Sequence, residues 1–333
     1  MGPAGLYAAR EILKVGNHEI TMFEQDRQPF GLLKWGVAPD RPEYKRLIPE
    51  FDRFLSDNKQ RISIHYNQRI SDWKKLVNNF DRVIAAVGAP LTNSLPMSHC
   101  NSPDLSNTNV LSGLKFAELY NGKGCLHSVL GVRKCKHVVI IGFGNVSLDC
   151  GRMLFKVASS MDVNIPLEFA TNFKNLQKVT FVCRKPTIWQ QSCSVKEFRE
   201  LFKLCKYSIE FGKKPDLLVQ PPASSSRSQK RLYEFALKCM ATKNESFFNI
   251  LLGEELKQVD TGNDYVNLVL ESGINLSCDV VIYCLGQRPA EIESDERIVK
   301  MGWCFRNGKG TVSDCYHDAH SFAAFLAKSK HFL

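Results

Sequence analysis

The reading starts from His137–Met153, HVVIIGFGNVSLDCGRM. Val138–Ile141 is a short, wholly apolar, β-branched run, the pattern of a strand buried on both faces of a parallel sheet. Gly142, Gly144 and Ser147 follow at once as G-x-G-x-x-small, and Val146–Leu154 reads as helix. Gly142 permits the tight turn out of the strand, Gly144 lets backbone approach a pyrophosphate, and a small residue at 147 lets helix pack on strand. The helix N-terminus then offers N–H groups and partial positive charge to phosphate. Strand before and helix after make this a dinucleotide site rather than an ordinary glycine turn.

A second fingerprint opens the chain. Met1–Ala9, MGPAGLYAA, has the form of the latter half of such a turn, with Gly2, Pro3, Ala4 and Gly5 at its bend. A helix is expected to about Leu13, with Leu6, Ala9, Ile12 and Leu13 on one face. Glu19–Phe23 reads as a strand, and Glu24 at its end is where this fold places an acid for ribose hydroxyls. The strand that precedes such a turn is not in the sequence. Because that strand is central in the doubly wound fold, a truncated or degenerate domain is expected.

The remaining elements alternate in the same α/β manner. Helices are expected at Pro42–Leu55, Ser192–Leu204, Lys230–Met240 and Ser321–Lys328, and strands at Ile62–His65, Asp81–Ala89, Val179–Val182, Phe248–Leu252, Tyr265–Leu270 and Val280–Leu285. Gln220–Ser228, QPPASSSRS, reads as a surface linker. Pro29–Asp40 is a glycine- and proline-rich loop of the kind that lies along a ligand. Arg184-Lys185 follows the strand after the opening motif. There an acid would select NAD, and cations suit the 2′-phosphate of NADP.

The chain has 333 residues, 44% hydrophobic and 23% charged, room for two ordinary domains. No run is long enough to span a bilayer. The net charge of +10 suits an acidic partner, but no basic run carries the interleaved aromatics expected for nucleic acid. Twelve scattered cysteines include no C-x-x-C, which disfavours a dithiol redox centre, a zinc ribbon and thioredoxin-reductase chemistry. Neither a metal site nor a catalytic triad is expected.

Three stretches together resemble adrenodoxin reductase, the mitochondrial-type ferredoxin–NADP reductase: GPAGLYAA, the strand ending in Glu24, and PFGLLKWGVAPDRPEYK. GFGNVSLDCGRML is similar to that family's GxGNVALDVARIL, and Asp81–Ala89 to its Y-D-x-V-x-x-A-x-G-A. The resemblance implies two Rossmann-like domains, an FAD domain at 1–100 and 286–333 and an inserted NADPH domain at 101–285. It implies electron flow from NADPH through FAD to a small acidic iron–sulphur ferredoxin, in a monomer without a transmembrane segment, open to peripheral membrane contact, in the mitochondrion.

The same resemblance places FAD against Gly2, Pro3, Ala4, Gly5, Glu24, Gly31, Leu32 and Ile70, with Trp35 shaping the pocket. It places NADPH against Phe143, Gly144, Asn145, Val146, Arg184, Lys185 and Glu197. Glu197 has a second reading, since Ser194-Val195-Lys196-Glu197 also fits a capping box. Lys196, Arg199 and Lys203 share one helix face and could receive an acidic partner. Two departures stand out. Arg41 replaces the family's histidine in A-P-D-H-P-E, and Cys183, Lys185 and Pro186 alter its G-R-R-G. Met301–Val312 aligns with a family hairpin rather than with the flavin-binding tryptophan segment. The alternative to the reductase is a non-catalytic NADPH- or partner-binding remnant.

Overall fold

The computed structural model describes residues 1–95, 109–128, 130–131, 134–204, 209–211, 219–240, 247–262 and 265–328. It is α/β, as expected, and forms two compact units. One comprises Met1–Val37, Arg41–Asn93 and Gly286–Leu333, the other Ala38–Asp40 and Ser94–Leu285. The boundary expected between residues 100 and 101 lies outside the described residues.

The second unit is built on a six-stranded parallel sheet. Its order is Val110–Ser112, Val280–Tyr283, His137–Ile141, Lys178–Cys183, Phe248–Leu252, Ile209–Phe211. The chain enters at the edge strand Val110–Ser112, crosses to His137–Ile141, continues outward on the far side, and returns to Val280–Tyr283 on the near side of His137–Ile141. The turn after Ile141 therefore sits where the winding reverses, the place where such sheets bind ligands. Alternation explains why the middle of the central strand is wholly apolar. Val138 and Ile140 face a helical layer that includes Leu148, Met153 and Phe198, whereas Val139 and Ile141 face the other way. That second face is covered by a three-stranded antiparallel sheet, Leu256–Thr261, Val266–Leu270 and Asn275–Cys278, through Val259, Val266 and Leu268. With both faces dry, the middle strands are mostly apolar, and the buried Thr180 is answered by His137.

In the first unit, the helix Pro3–Val15 buries Leu6, Tyr7, Ala8 and Ile12 against Met22, Phe51 and Ile62, and against Cys315, Ala319 and Leu326 of the helix Val312–Lys328. The parallel strands form two separate ribbons, Ile20–Phe23 with Ile62–His65 and Val83–Ala85 with Ile298–Lys300. The single helix expected over Pro42–Leu55 is two, Pro42–Lys45 and Leu47–Asp57. Pro49 is the cause: it has no N–H for the Lys45 carbonyl, and its ring crowds that carbonyl. Pro29–Asp40 holds a short helix, Gly31–Trp35.

The hairpin expected over Met301–Val312 is absent. Ile298–Lys300 ends in a 3₁₀ turn, Gly302–Cys304, and the last helix begins at Val312. Thr311 and Asp314 cap that helix reciprocally, Thr311 N–H donating to Asp314 Oδ2 (2.6 Å) and Asp314 N–H to Thr311 Oγ1 (3.4 Å).

His137 fastens the two sheets of the second unit. Its Nδ1–H donates to the Ser277 carbonyl (2.8 Å), and its Nε2 accepts from the Thr180 hydroxyl (2.9 Å). Burial, with Lys178 nearby, holds the imidazole below its usual pKa of 6.5 despite the Ser277 carbonyl and Asp279. The unfolded chain therefore binds this proton more readily. The group's stabilisation is complete above about pH 6.5 and is lost as pH falls toward the folded value. Chemical denaturation across pH 7 to 5 should show stability falling with pH, by at most about 1.4 kcal/mol per unit from this residue. His137→Gln should flatten that slope.

Candidate dinucleotide sites

Gly142 leaves the strand at φ +105, and a Cβ there would lie 2.6 Å from the Cys284 carbonyl oxygen. Only glycine fits. Gly144, the N-cap of Asn145–Ala158, is different. Its backbone is extended, and a Cβ on it would meet nothing within 4 Å. Neither conformation nor packing requires glycine at 144, and Ser, Asp or Asn would cap a helix as well or better. What glycine leaves is bare backbone at a helix N-terminus, facing open space. Ser147 is fully buried, and its hydroxyl accepts the Gly144 N–H (3.1 Å), holding the turn closed.

Phe143 turns inward, its ring edge-on to Phe181 (5.1 Å) and Phe198 (5.9 Å), so only its backbone is available to a ligand. Val146 is exposed beside the turn. Asn145 Oδ1 accepts the Ser194 N–H (2.8 Å), bringing the N-terminus of the helix Val195–Leu204 against the turn. This decides the capping question. Ser194 Oγ accepts the Glu197 N–H (3.2 Å), one half of a capping box, but the Ser194 N–H goes to Asn145 rather than to Glu197. The Glu197 carboxylate instead accepts from Arg152 Nη1 (3.3 Å).

Arg152 is among the largest fully buried side chains. Its guanidinium forks onto Asp40, Nε to Oδ2 at 2.8 Å and Nη2 to Oδ1 at 3.0 Å, and also pairs with Asp149 at 2.6 Å. Lys156 reaches Asp40 as well (2.8 Å). Burial by itself would raise the Asp40 pKa, but Arg152 and Lys156 outweigh it and hold the carboxyl below the usual range. Sequence reading missed this cluster. The i,i+3 pair Asp149–Arg152 was a visible signal, whereas Asp40 lies more than a hundred positions away.

Arg184 is exposed at the end of its strand and makes no hydrogen bond or ion pair with the described residues. Lys185 is committed locally. Its ammonium donates to the Gln190 carbonyl (2.7 Å), and its own carbonyl accepts from Gly253 N–H and Gln191 Nε2. The two cations paired by the sequence therefore have unequal reach.

In the first unit, Gly2 caps the helix Pro3–Val15 with extended backbone and nothing within 4 Å of a Cβ position, like Gly144. Pro3 occupies the first helical turn, where its missing N–H costs nothing, Ala4 is buried, and Gly5 packs against Ala86 (3.5 Å for a Cβ). Gly31, at φ +45, brings the next loop so close that its Cβ would sit 3.1 Å from Gly2 Cα. Leu32 closes that loop, its carbonyl accepting from Gly36 and Val37.

Glu24 is buried, and its carboxylate accepts from the Met1 amino group and from the Asp26 N–H (3.0 Å). Gly2, Glu24, Gly31 and Leu32 thus gather around one helix N-terminus. Ile70 instead packs in a smaller cluster with Trp73, Val77 and Ile292. Beside the loop, Lys45 donates to the Lys34 carbonyl (2.8 Å), and burial together with the Lys34 charge pushes its pKa down to about 8.

No protein-family model matches the chain. It is 30% identical over 258 residues to a mitochondrial NADPH:adrenodoxin oxidoreductase of Arabidopsis thaliana, covering 74% of this chain and 51% of that one. It is 29% identical over 251 residues to the enzyme of the same name from Salvelinus fontinalis, covering 71% and 48%. The resemblance drawn from the motifs is thus found across the sequence. The chain spans about half the length of these curated relatives. Among solved structures, Mycobacterium tuberculosis FprA in complex with NADPH superposes with a TM-score of 0.81 at 20% identity, over 98% of this chain and 82% of that one. The fold is α/β with parallel sheets, consistent with two Rossmann-like domains.

The glycines separate by cause. Gly142→Ala should destabilise the fold by about 2–4 kcal/mol through left-handed backbone and overlap with Cys284. Gly144→Ser and Gly2→Ser should stay within about 0.5 kcal/mol of the parent. Urea unfolding of the three variants measures the difference.

Proposed function

We propose that the chain carries out the reaction of its relatives: electrons from NADPH pass through FAD to a small acidic ferredoxin of the adrenodoxin type. The observation that carries the proposal is the pair Gly2 and Gly144. Each caps a helix with bare, extended backbone that neither packing nor conformation requires, and together they provide two pyrophosphate-type cradles in one chain.

FAD is assigned to residues 1–100 and 286–333, against Gly2, Pro3, Ala4, Gly5, Glu24, Gly31 and Leu32, with Ile70 left to its own cluster. The fit rests on the open helix N-terminus at Gly2, on the buried Glu24 carboxylate at a strand end, and on the glycine loop pressed against both. When bound, FAD accepts an electron pair from the nicotinamide and releases it one electron at a time. The chain's own part is to bind, orient and keep the site dry.

NADPH is assigned to 101–285, with Phe143, Gly144, Asn145 and Val146 under the pyrophosphate and Glu197 toward the nicotinamide. Arg184 faces the 2′-phosphate, where an exposed guanidinium supplies a bidentate contact. Lys185, held by Gln190, shapes the turn. Arg41, which is buried, stands where the family's motif has histidine, so a guanidinium replaces an imidazole at that position.

Lys196, Arg199 and Lys203 are exposed on one face of their helix, with Arg199 over the Phe235 ring (5.8 Å), and form the proposed landing surface for the acidic partner. The proposed setting is the mitochondrion, after the relatives' names. Among the described residues, no helix is long and apolar enough to cross a membrane.

The visible spectrum of the purified chain tests the proposal. Flavin bands that bleach on anaerobic addition of NADPH are expected. A colourless protein that cannot be reconstituted with FAD would instead support the non-catalytic remnant. Arg184→Ala should raise KM for NADPH roughly 10- to 100-fold while leaving KM for NADH nearly unchanged. Equal effects on both would remove Arg184 from the phosphate site.

A further inference from the structure

The sequence has no C-x-x-C, yet the fold brings two thiols together at the dinucleotide turn. Cys150 lies in the second turn of the helix Asn145–Ala158. Cys284 directly follows the strand Val280–Tyr283, which pairs with His137–Ile141. The two thiols share a hydrogen bond. Both pack in one apolar cluster, Cys150 fully buried and Cys284 half-buried at its rim.

Cys284 is also built into the turn. Its N–H donates to the Ile141 carbonyl (2.7 Å), and its own carbonyl oxygen is the atom that excludes a Cβ at Gly142. Its Sγ rests against Gly113, where a Cβ would overlap it, and Val146 Cγ1 borders the same spot (3.1 Å). Strand end, turn and helix are thus packed without slack around one sulphur. Packing does not call for a thiol at position 150, since the motif that this stretch resembles, GxGNVALDVARIL, has valine there. Burial pushes the Cys150 thiol well above its usual pKa, so it is inert on its own. The half-buried Cys284 is the member of the pair that an oxidant can reach.

We propose that Cys150 and Cys284 are a modification site, a thiol pair that hydrogen peroxide converts to a disulfide, and that the disulfide weakens phosphate binding at the turn. The second half rests on the reading of Gly142–Ser147 as an NADP(H) turn. Cys284 Sγ attacks the peroxide, the O–O bond breaks, and a sulfenic acid and one water result. The Cys150 sulphur then displaces the hydroxyl from Cys284 Sγ, and its proton leaves with that hydroxyl as a second water. The two thiols give up two electrons and two protons, and one peroxide becomes two waters. A disulfide holds its sulphurs about 2.05 Å apart, closer than two thiols in contact, so closure draws helix and strand end together. Gly142 already abuts the Cys284 carbonyl, so the displacement falls on the helix N-terminus that Gly144 caps.

The test treats the reduced full chain with hydrogen peroxide and digests it without reductant. Mass spectrometry should find the Cys150 and Cys284 peptides joined, and a thiol reductant should release them. Equilibrium binding of 2′,5′-ADP should weaken roughly 5- to 150-fold on oxidation and recover on reduction. Cys150→Val, which fills the site as the motif does, and Cys284→Ser should each bind 2′,5′-ADP within about twofold of the reduced parent and lose the response to peroxide.

No joined peptide in the parent, or a response that persists in both variants, overturns the proposal. A joined peptide with unchanged 2′,5′-ADP affinity overturns it equally and leaves the dinucleotide reading standing. Failure of the reduced parent to bind 2′,5′-ADP overturns that reading and the control of it, while the joined peptide still decides the thiol chemistry.

Discussion

A guanidinium leaves water only when its charge and its N–H groups are answered, because an unpaired buried ion costs several kcal/mol. Arg152 meets that condition with carboxylates from three separate segments: Asp40 from residues 38–40, Asp149 one helical turn before it, and Glu197 from the helix Val195–Leu204. The requirement acts as a constraint on all three. Residues 38–40 pack with the second unit although Val37 and Arg41 on either side belong to the first. The helix Val195–Leu204 is fixed at its first turn twice, through Glu197 to Arg152 and through Ser194 to Asn145. The geometry of the dinucleotide turn is therefore coupled to a charge cluster rather than to apolar packing alone.

The first unit uses a smaller version of the same device. Arg306 forks onto Asp318, and Asp318 Oδ2 also accepts the Gly302 N–H (3.1 Å). Gly302 sits where a Cβ would lie 2.7 Å from Ala4 Cβ. The last helix is thereby held against the first by close backbone approach, with Tyr7 edge-on to both Phe51 (5.0 Å) and Tyr316 (5.6 Å). These contacts position Gly2 and the helix it caps.

Local pattern made much of this legible. Buried strands announced themselves as β-branched runs, and Ile62–His65 and Phe248–Leu252 fall where periodicity placed them. What stayed hidden was set by contacts distant in sequence or by single atoms. Pro49 broke a helix through one missing donor. Thr311–Asp314 carried a capping signal that the glycine-rich family alignment of Met301–Val312 obscured. The antiparallel layer over the second face of the large sheet could not be read from its strands singly, because what they cover is decided by topology. Asp40–Arg152 could not be read at all, since nothing local marks a pairing across more than a hundred residues. In the candidate sites, the glycines and Glu24 were legible from spacing, but the unequal commitment of Arg184 and Lys185 was not. That difference arises from one carbonyl, Gln190, placed within reach of one ammonium.

A structural criterion for function follows from the glycines. Gly142 and Gly308 are explained by the fold: left-handed backbone, and a carbonyl 2.6 or 2.2 Å from where a Cβ would be. Their presence says nothing of a ligand. Gly2 and Gly144 have extended backbone and open space, so the fold would accept other residues and better helix caps at both. Arg184 is of the same kind, a long cation without a partner among the described residues, whereas Lys185 is explained by the turn it closes. Residues that the fold does not need are the ones a ligand would have to account for; under the proposed function they are two helix N-termini for pyrophosphate and one strand-end cation for a further phosphate, the set that two dinucleotides, one of them phosphorylated on the ribose, would use.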